Sequence, residues 1–147
     1  MTRVDFYILA GTEPRERDFF TCRLVEKAWR HGMRVWLHCA DADDVARMDE
    51  LLWTFRPGSF IPHEPAAGAG ADAPVLLGHG REPEADAVFP MLINRATEPP
   101  LFFSRFERLA EVVDQRPDVR DAGRARWAFY RDRGYPLNHH DMRANAS

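Results

Sequence analysis

With 147 residues, 45% of them apolar and 12% aromatic, the chain has enough apolar surface for one packed domain, read as spanning residues 1–147. A net charge of −3 argues against nucleic-acid binding by the surface as a whole. No run approaches the ~20 apolar residues that cross a bilayer, and Met1 to Asp5 carries no apolar signal region, so the expected location is the cytoplasm.

Val4 to Leu9 reads as a strand, and Gly11 to Pro14 as a turn with Pro14 placed for a first helical position. The helix that follows has Phe19, Phe20, Val25, Ala28 and Trp29 on a broad apolar side and Gly32 as its stop. Met33 to Cys39 is a second, buried strand, and Asp41 or Asp43 is placed to cap the next helix. Strand, helix, strand, helix with short links predicts an α/β fold of three layers around a mostly parallel sheet. Cys22 and Cys39 form no CxxC pair and have no metal-ligand spacing to a histidine, so they read as buried thiols.

Along the second helix, Val45, Met48, Leu51, Leu52 and Phe55 share the core stripe. Trp53 projects roughly 140° away from the centre of that stripe, among Ala46, Asp49 and Glu50. Pro57 and Gly58 then break the chain, and Ser59 to Pro62 continues as a short extended piece that can bring Phe60 near Trp53. Either a neighbouring element covers the indole or a partner does, since burying its ~150–250 Å² at ~25 cal/mol/Å² is worth several kcal/mol. An aromatic pair on an otherwise polar face is the pattern of a protein interface.

Glu64 to Ala73 has small residues and no apolar period, and predicts a surface loop. Pro74 to Gly78 and Ala87 to Asn94 read as further strands, the second with Pro90 arguing for an edge or a bulge; residues 79–86 are a polar excursion between them. Leu109 to Val113 leans to strand, which makes a sheet of about five strands.

The last helix is expected from Asp118 to Arg133, with Pro117 at its start and Gly134 past its end. Arg120, Arg124, Trp127 and Arg131 fall within roughly 60° of one another, while Ala122, Ala125 and Phe129 lie on the other side and suit the core. From Arg116 to Arg143 seven Arg stand against four Asp, so this end of the chain is positive. The group is a solvated cationic face, a stack of Arg side chains on Trp127, or a pocket closed by Gly134-Tyr135-Pro136-Leu137. Such a pocket suits a peptide that ends in an aromatic residue with a free carboxylate.

Catalytic signatures are missing. There is no GxxxxGK[ST] and no GxSxG, and Gly68-Ala69-Gly70 lacks the GxGxxG pattern and an obvious strand before it. His139-His140-Asp141 reads as a frayed end rather than a metal site, and His38 as a hydrogen-bonded core residue. No cofactor is expected. Two other classes stay open: direct binding of single-stranded nucleic acid by aromatics interleaved with Arg, and an α/β enzyme of unknown substrate.

Asp49-Glu50-Leu51-Leu52-Trp53, Ser59-Phe60-Ile61-Pro62-His63 and the ending from Arg124 through Trp127 and Arg131 to Gly134-Tyr135-Pro136-Leu137, with Phe6-Tyr7-Ile8-Leu9 at the start, carry a family likeness. In this order they resemble the chi subunit of bacterial DNA polymerase III holoenzyme over nearly the whole chain. The resemblance implies a non-catalytic accessory protein, similar in fold to nucleotide-binding proteins but without a phosphate loop. It implies two partners: the psi subunit of the clamp loader, and the acidic C-terminal tail of single-stranded-DNA-binding protein, which finishes in Pro-Phe. DNA is then met only indirectly.

Carried over by position, the tail site takes in Arg124, Trp127 and Arg131, with Arg120, Gly134 and Tyr135 nearby. The psi surface takes in Trp53 and Phe60 with Pro62 and His63, and the resemblance implies that a related helicase shares it in some bacteria. One departure stands out. Where the family has a Tyr-Lys pair this chain has Trp127-Ala128, one cation fewer, and Arg126 or Arg133 is the candidate replacement although both fall nearer the buried side of the helix.

Overall fold

Strands that are apolar on both sides must be covered on both faces. The computed structural model describes residues 1–66, 72–85 and 87–145 and has that arrangement. The chain runs β1 (Arg3–Ile8), α1 (Pro14–Arg30), β2 (Val35–His38), α2 (Ala42–Thr54), β3 (His63–Pro65), β4 (Val75–Gly78), β5 (Met91–Asn94), β6 (Arg108–Val113), α3 (Pro117–Asp132) and β7 (Leu137–Asp141). Short 3-10 turns lie at Phe103–Arg105 and Met142–Asn145. The sheet order is β3-β4-β2-β5-β6-β1-β7, and every pairing is parallel.

The helices begin and end where local chemistry directs. Pro14 opens α1, Gly32 with φ of 77° follows its end, and Asp41 caps α2 by accepting the Asp44 N–H at 2.8 Å. Against one face of the sheet, Cys22, Val25, Met48 and Leu52 pack on Leu37, Leu77 and Ile93. On the other face Tyr130 joins Phe89, Phe103 and Phe106 over Phe6, Trp36, Leu92 and Leu109. This is the expected three-layer α/β architecture. Cys22 and Cys39 are buried and free, and burial pushes both thiols up to about 12. Among the described residues no helix is long and apolar enough to cross a membrane.

The sheet has seven strands rather than about five. The two unanticipated strands are the outer ones, β3 and β7, where one neighbour suffices and no two-sided apolar pattern is needed; β7 reads Leu-Asn-His-His-Asp and is mostly exposed. His139-His140-Asp141 is therefore a paired strand, not a frayed end. The segment expected to be a loop from Glu64 starts instead inside β3, while Gly68 and Gly70 lie outside the described residues. The strand expected from Ala87 begins only at Met91, because Pro90 has no N–H to give; β5 is central, between β2 and β6, not an edge.

Candidate functional site

β1 leads through α1 toward one end of the sheet, and its neighbour β6 leads through α3 toward the other. The two connections cross on opposite faces, and α3 covers the carboxyl ends of β1 and β6. A cavity of about 260 Å³ opens there. Its floor is Phe6, Ile8, Val113 and Trp127; Gln115, Gly123, Arg120, Arg124 and Arg143 complete the wall. Among the described residues none of the lining is acidic, so the cavity combines an apolar bottom with a cationic rim.

Three of the residues singled out in the sequence thus meet: Arg120, Arg124 and Trp127. Arg124 is 73% exposed, and Asp121, its nearest carboxylate, is 3.9 Å away. Arg120 is more enclosed; its Nε lies 3.8 Å from Asp121 and has no hydrogen-bond partner among the described residues. Trp127 corrects the expectation that it sits away from the apolar side. It is half-buried, edge-on to Phe6 at 5.1 Å and to His139 at 6.2 Å.

The fully buried line of α3 is Gly123, Arg126 and Tyr130; of the residues expected in the core, Phe129 packs half-buried against it, Ala122 is half-buried and Ala125 is exposed. Gly123 lets the helix close on β6, because a Cβ there would meet Val113 Cγ2 at 2.7 Å. Arg126 is buried against Glu111, its Nε donating to Oε1 at 2.9 Å, and Tyr130 donates its hydroxyl to Oε2 at 2.7 Å. Asn94 also donates to this carboxylate at 3.0 Å. Burial, reinforced by the Glu111 charge, pushes the Tyr130 hydroxyl far above its ordinary range. Arg126 is therefore no spare cation. Arg133, whose guanidinium lies 3.5 Å over the Phe129 ring and donates to the Phe129 carbonyl, stands outside the cavity lining.

Arg131, Gly134 and Tyr135 lie outside the cavity lining. Arg131 is exposed and paired with Asp132 at 3.0 Å; Gly134 takes φ of 80° just past the helix; Tyr135 packs edge-on to Phe103 at 4.7 Å. Arg143, counted in the sequence only as part of a positive end, belongs to the lining because the pairing of β7 with β1 brings it to the cavity.

The second surface lies on α2 and the segment after it. Trp53 is 47% exposed and Phe60 76% exposed. Ser59 and Ile61 are buried on either side of Phe60, and Ser59 donates to the Leu52 carbonyl at 3.2 Å, so the backbone holds Phe60 outward. Pro62 is exposed and His63 buried. The His63 ring supports the indole at 4.2 Å between centroids, with its nitrogens against the carbonyl oxygens of Ile61 (2.6 Å) and Asp49 (2.7 Å).

Other polar groups stabilise the frame. Arg95, buried at the end of β5, donates to Asp44 at 3.0 Å and Asp18 at 2.6 Å, tying α1 to α2. Although burial opposes it, the Arg95 hydrogen bond holds Asp44 below the usual carboxylate range. His38 departs from its expected role: Nδ1 has no hydrogen-bond partner among the described residues, the ring lies edge-on to Phe102, and burial with the nearby His79 pushes its pKa down. His140 Nε2 donates to Asp5 Oδ1 at 3.0 Å, and the ring stacks on Tyr7. Among the described residues no group of His, Cys, Asp or Glu is placed to hold a metal.

Comparison with known proteins adds a family. The model of the DNA polymerase III chi subunit, HolC, matches residues 1–138. A DNA polymerase III subunit chi of Pseudomonas aeruginosa is 47% identical over 142 residues, 97% of this chain and 98% of the relative. Its namesake in Escherichia coli is 30% identical, with 80% of each chain covered, and that of Haemophilus influenzae 27% identical, with 90% and 92% covered. An α/β frame without catalytic signatures, matched along almost its whole length, belongs to the DNA polymerase III chi subunit family.

Proposed function

We propose that this accessory, non-catalytic replication subunit links the clamp loader, through a psi-like subunit, to single-stranded-DNA-binding protein by holding the latter's acidic C-terminal tail. The observation that carries the tail-binding part is the cavity between α3 and the carboxyl ends of β1 and β6, with an apolar floor of Phe6, Ile8, Val113 and Trp127 under the cations of Arg120 and Arg124. An aromatic side chain fits the floor, and its free carboxylate with the acidic residues before it matches the rim. Trp53 and Phe60, exposed on α2 and the segment after it, are assigned to the psi-like partner, a surface that a helicase can share.

Calorimetric titration with an Asp-rich peptide ending in Pro-Phe, beside the same peptide amidated at its C-terminus, tests the tail site. Binding is expected for the free acid, to weaken with salt and to be lost on amidation. Arg124→Ala and Trp127→Ala are each expected to weaken it by about 1–3 kcal/mol, the scale of charge-assisted hydrogen bonds and interface hot spots. Unaltered binding in both variants would put the site elsewhere. A single-stranded oligonucleotide that binds the cavity and resists displacement by the peptide would favour direct nucleic-acid binding instead.

A further inference from the structure

The cavity has one lining cation that does not come from α3. Arg143 lines it together with Arg120 and Arg124, yet comes from the 3-10 turn Met142–Asn145 after β7. β7 pairs with β1 so that Asp141 stands opposite Ile8, which delivers this turn to the carboxyl end of β1 where the cavity opens. Arg143 also lies beyond the residues, 1–138, that the family model matches.

The three cations differ in how they are compensated. Asp121 is only a distant partner for Arg120 and Arg124, at 3.8 and 3.9 Å. Arg143 is held by Asp141 through two side-chain donors: Nη2 donates to Oδ2 at 2.7 Å and Nε to Oδ1 at 2.9 Å, while the backbone N–H donates to Oδ1 at 3.0 Å. These hydrogen bonds hold the Asp141 carboxyl down at about 2, so the competing charge is present at neutral pH. Both side chains are exposed, and exchanging one carboxylate for another on an exposed guanidinium is nearly neutral in water. A phosphate would satisfy the same cations, but the apolar floor has no use for a sugar-phosphate chain and fits the end of a peptide.

We propose that Arg143 is a third cation of the acidic-peptide site and that Asp141 is its built-in competitor, so the C-terminal turn sets how tightly the cavity holds a carboxylate-ended peptide. This rests on the tail-binding function above. It also supplies, from a distant part of the chain, a positive charge that Arg126 and Arg133 are not placed to provide.

The test is a double-mutant cycle on the full chain, read by calorimetry with the Asp-rich peptide ending in Pro-Phe. Arg143→Gln is expected to weaken binding about two- to fivefold, and Asp141→Asn to tighten it by about as much, on the scale of exposed charge pairs. In the Arg143→Gln background, Asp141→Asn should change little, because its gain requires the released guanidinium. Unchanged binding in Arg143→Gln alongside a loss in Arg124→Ala would remove Arg143 from the site and leave the tail-binding function standing. A gain from Asp141→Asn that persists without Arg143 would be a net-charge effect and overturn the competitor role. Failure of the unaltered chain to bind the peptide would overturn both readings.

Discussion

Arg124 and Arg126 are two positions apart on one helix and have opposite fates. Arg124 is 73% exposed at the cavity rim, whereas the Arg126 side chain is 3% exposed and held by Glu111, which is itself fully buried. Taking two charges out of water is offset only when the geometry is good and the remaining donors and acceptors are met. Here the Glu111 oxygens also receive Asn94 and Tyr130, and Arg126 Nη1 donates to the Thr97 carbonyl at 2.9 Å. Glu111→Ala strands a buried guanidinium and should lower stability by about 3–5 kcal/mol in urea unfolding. Glu111→Gln keeps the volume and one acceptor oxygen but also removes the charge that compensates Arg126, so it should cost less than Glu111→Ala and still be destabilising. A loss below about 1 kcal/mol in Glu111→Ala would mean that water reaches Arg126.

At the scale of the element, α3 is positioned by what it lacks. Gly123 faces Val113 so closely that any side chain displaces the helix or the strand, and both residues line the cavity. Gly123→Val is therefore expected to lower the melting temperature by several degrees, in line with ~1–3 kcal/mol for overpacking, and to weaken peptide binding as α3 moves off β6. Gly123→Ala should do less of both. Unchanged melting and binding in Gly123→Val would mean that the cavity does not depend on this close seat. Trp127 belongs to the same packing: its edge contact with Phe6 fixes the indole as part of the floor and leaves less of it free than helical arithmetic suggested.

At the scale of the molecule, the two surfaces lie on different elements of one rigid sheet frame, Trp53 on α2 and the cavity under α3. Two weak links held at a fixed spacing can raise effective affinity by about 10²–10⁴ without any new contact. The surfaces should be energetically independent, since mutations at well-separated sites without shared partners add. Phe60→Ala, at a side chain 76% exposed, should abolish capture by a psi-like partner while peptide binding and the melting temperature stay within error. Arg124→Ala should weaken peptide binding and leave capture by the psi-like partner unchanged. A large loss of stability in Phe60→Ala, or a parallel loss of both activities in either variant, would contradict the division into two surfaces.

What the amino-acid sequence determined by itself is local: three helices with their Pro, Asp and Gly boundaries, the inner strands, the buried thiols, and the projection of Trp53 and Phe60 away from the core. Each follows from periodicity, capping or turn chemistry within a few residues, which a single chain displays openly. It also carried Arg120, Arg124 and Trp127 on one side of a helix. Only the tertiary structure decided the outer strands β3 and β7, the burial of Arg126 and the entry of Arg143 into the cavity. These depend on parallel pairing and on ion pairs between residues far apart in the chain, such as β7 with β1 and Glu111 with Arg126. Strand pairing and charge compensation are set by distance in space, and no local pattern encodes which distant partner will arrive.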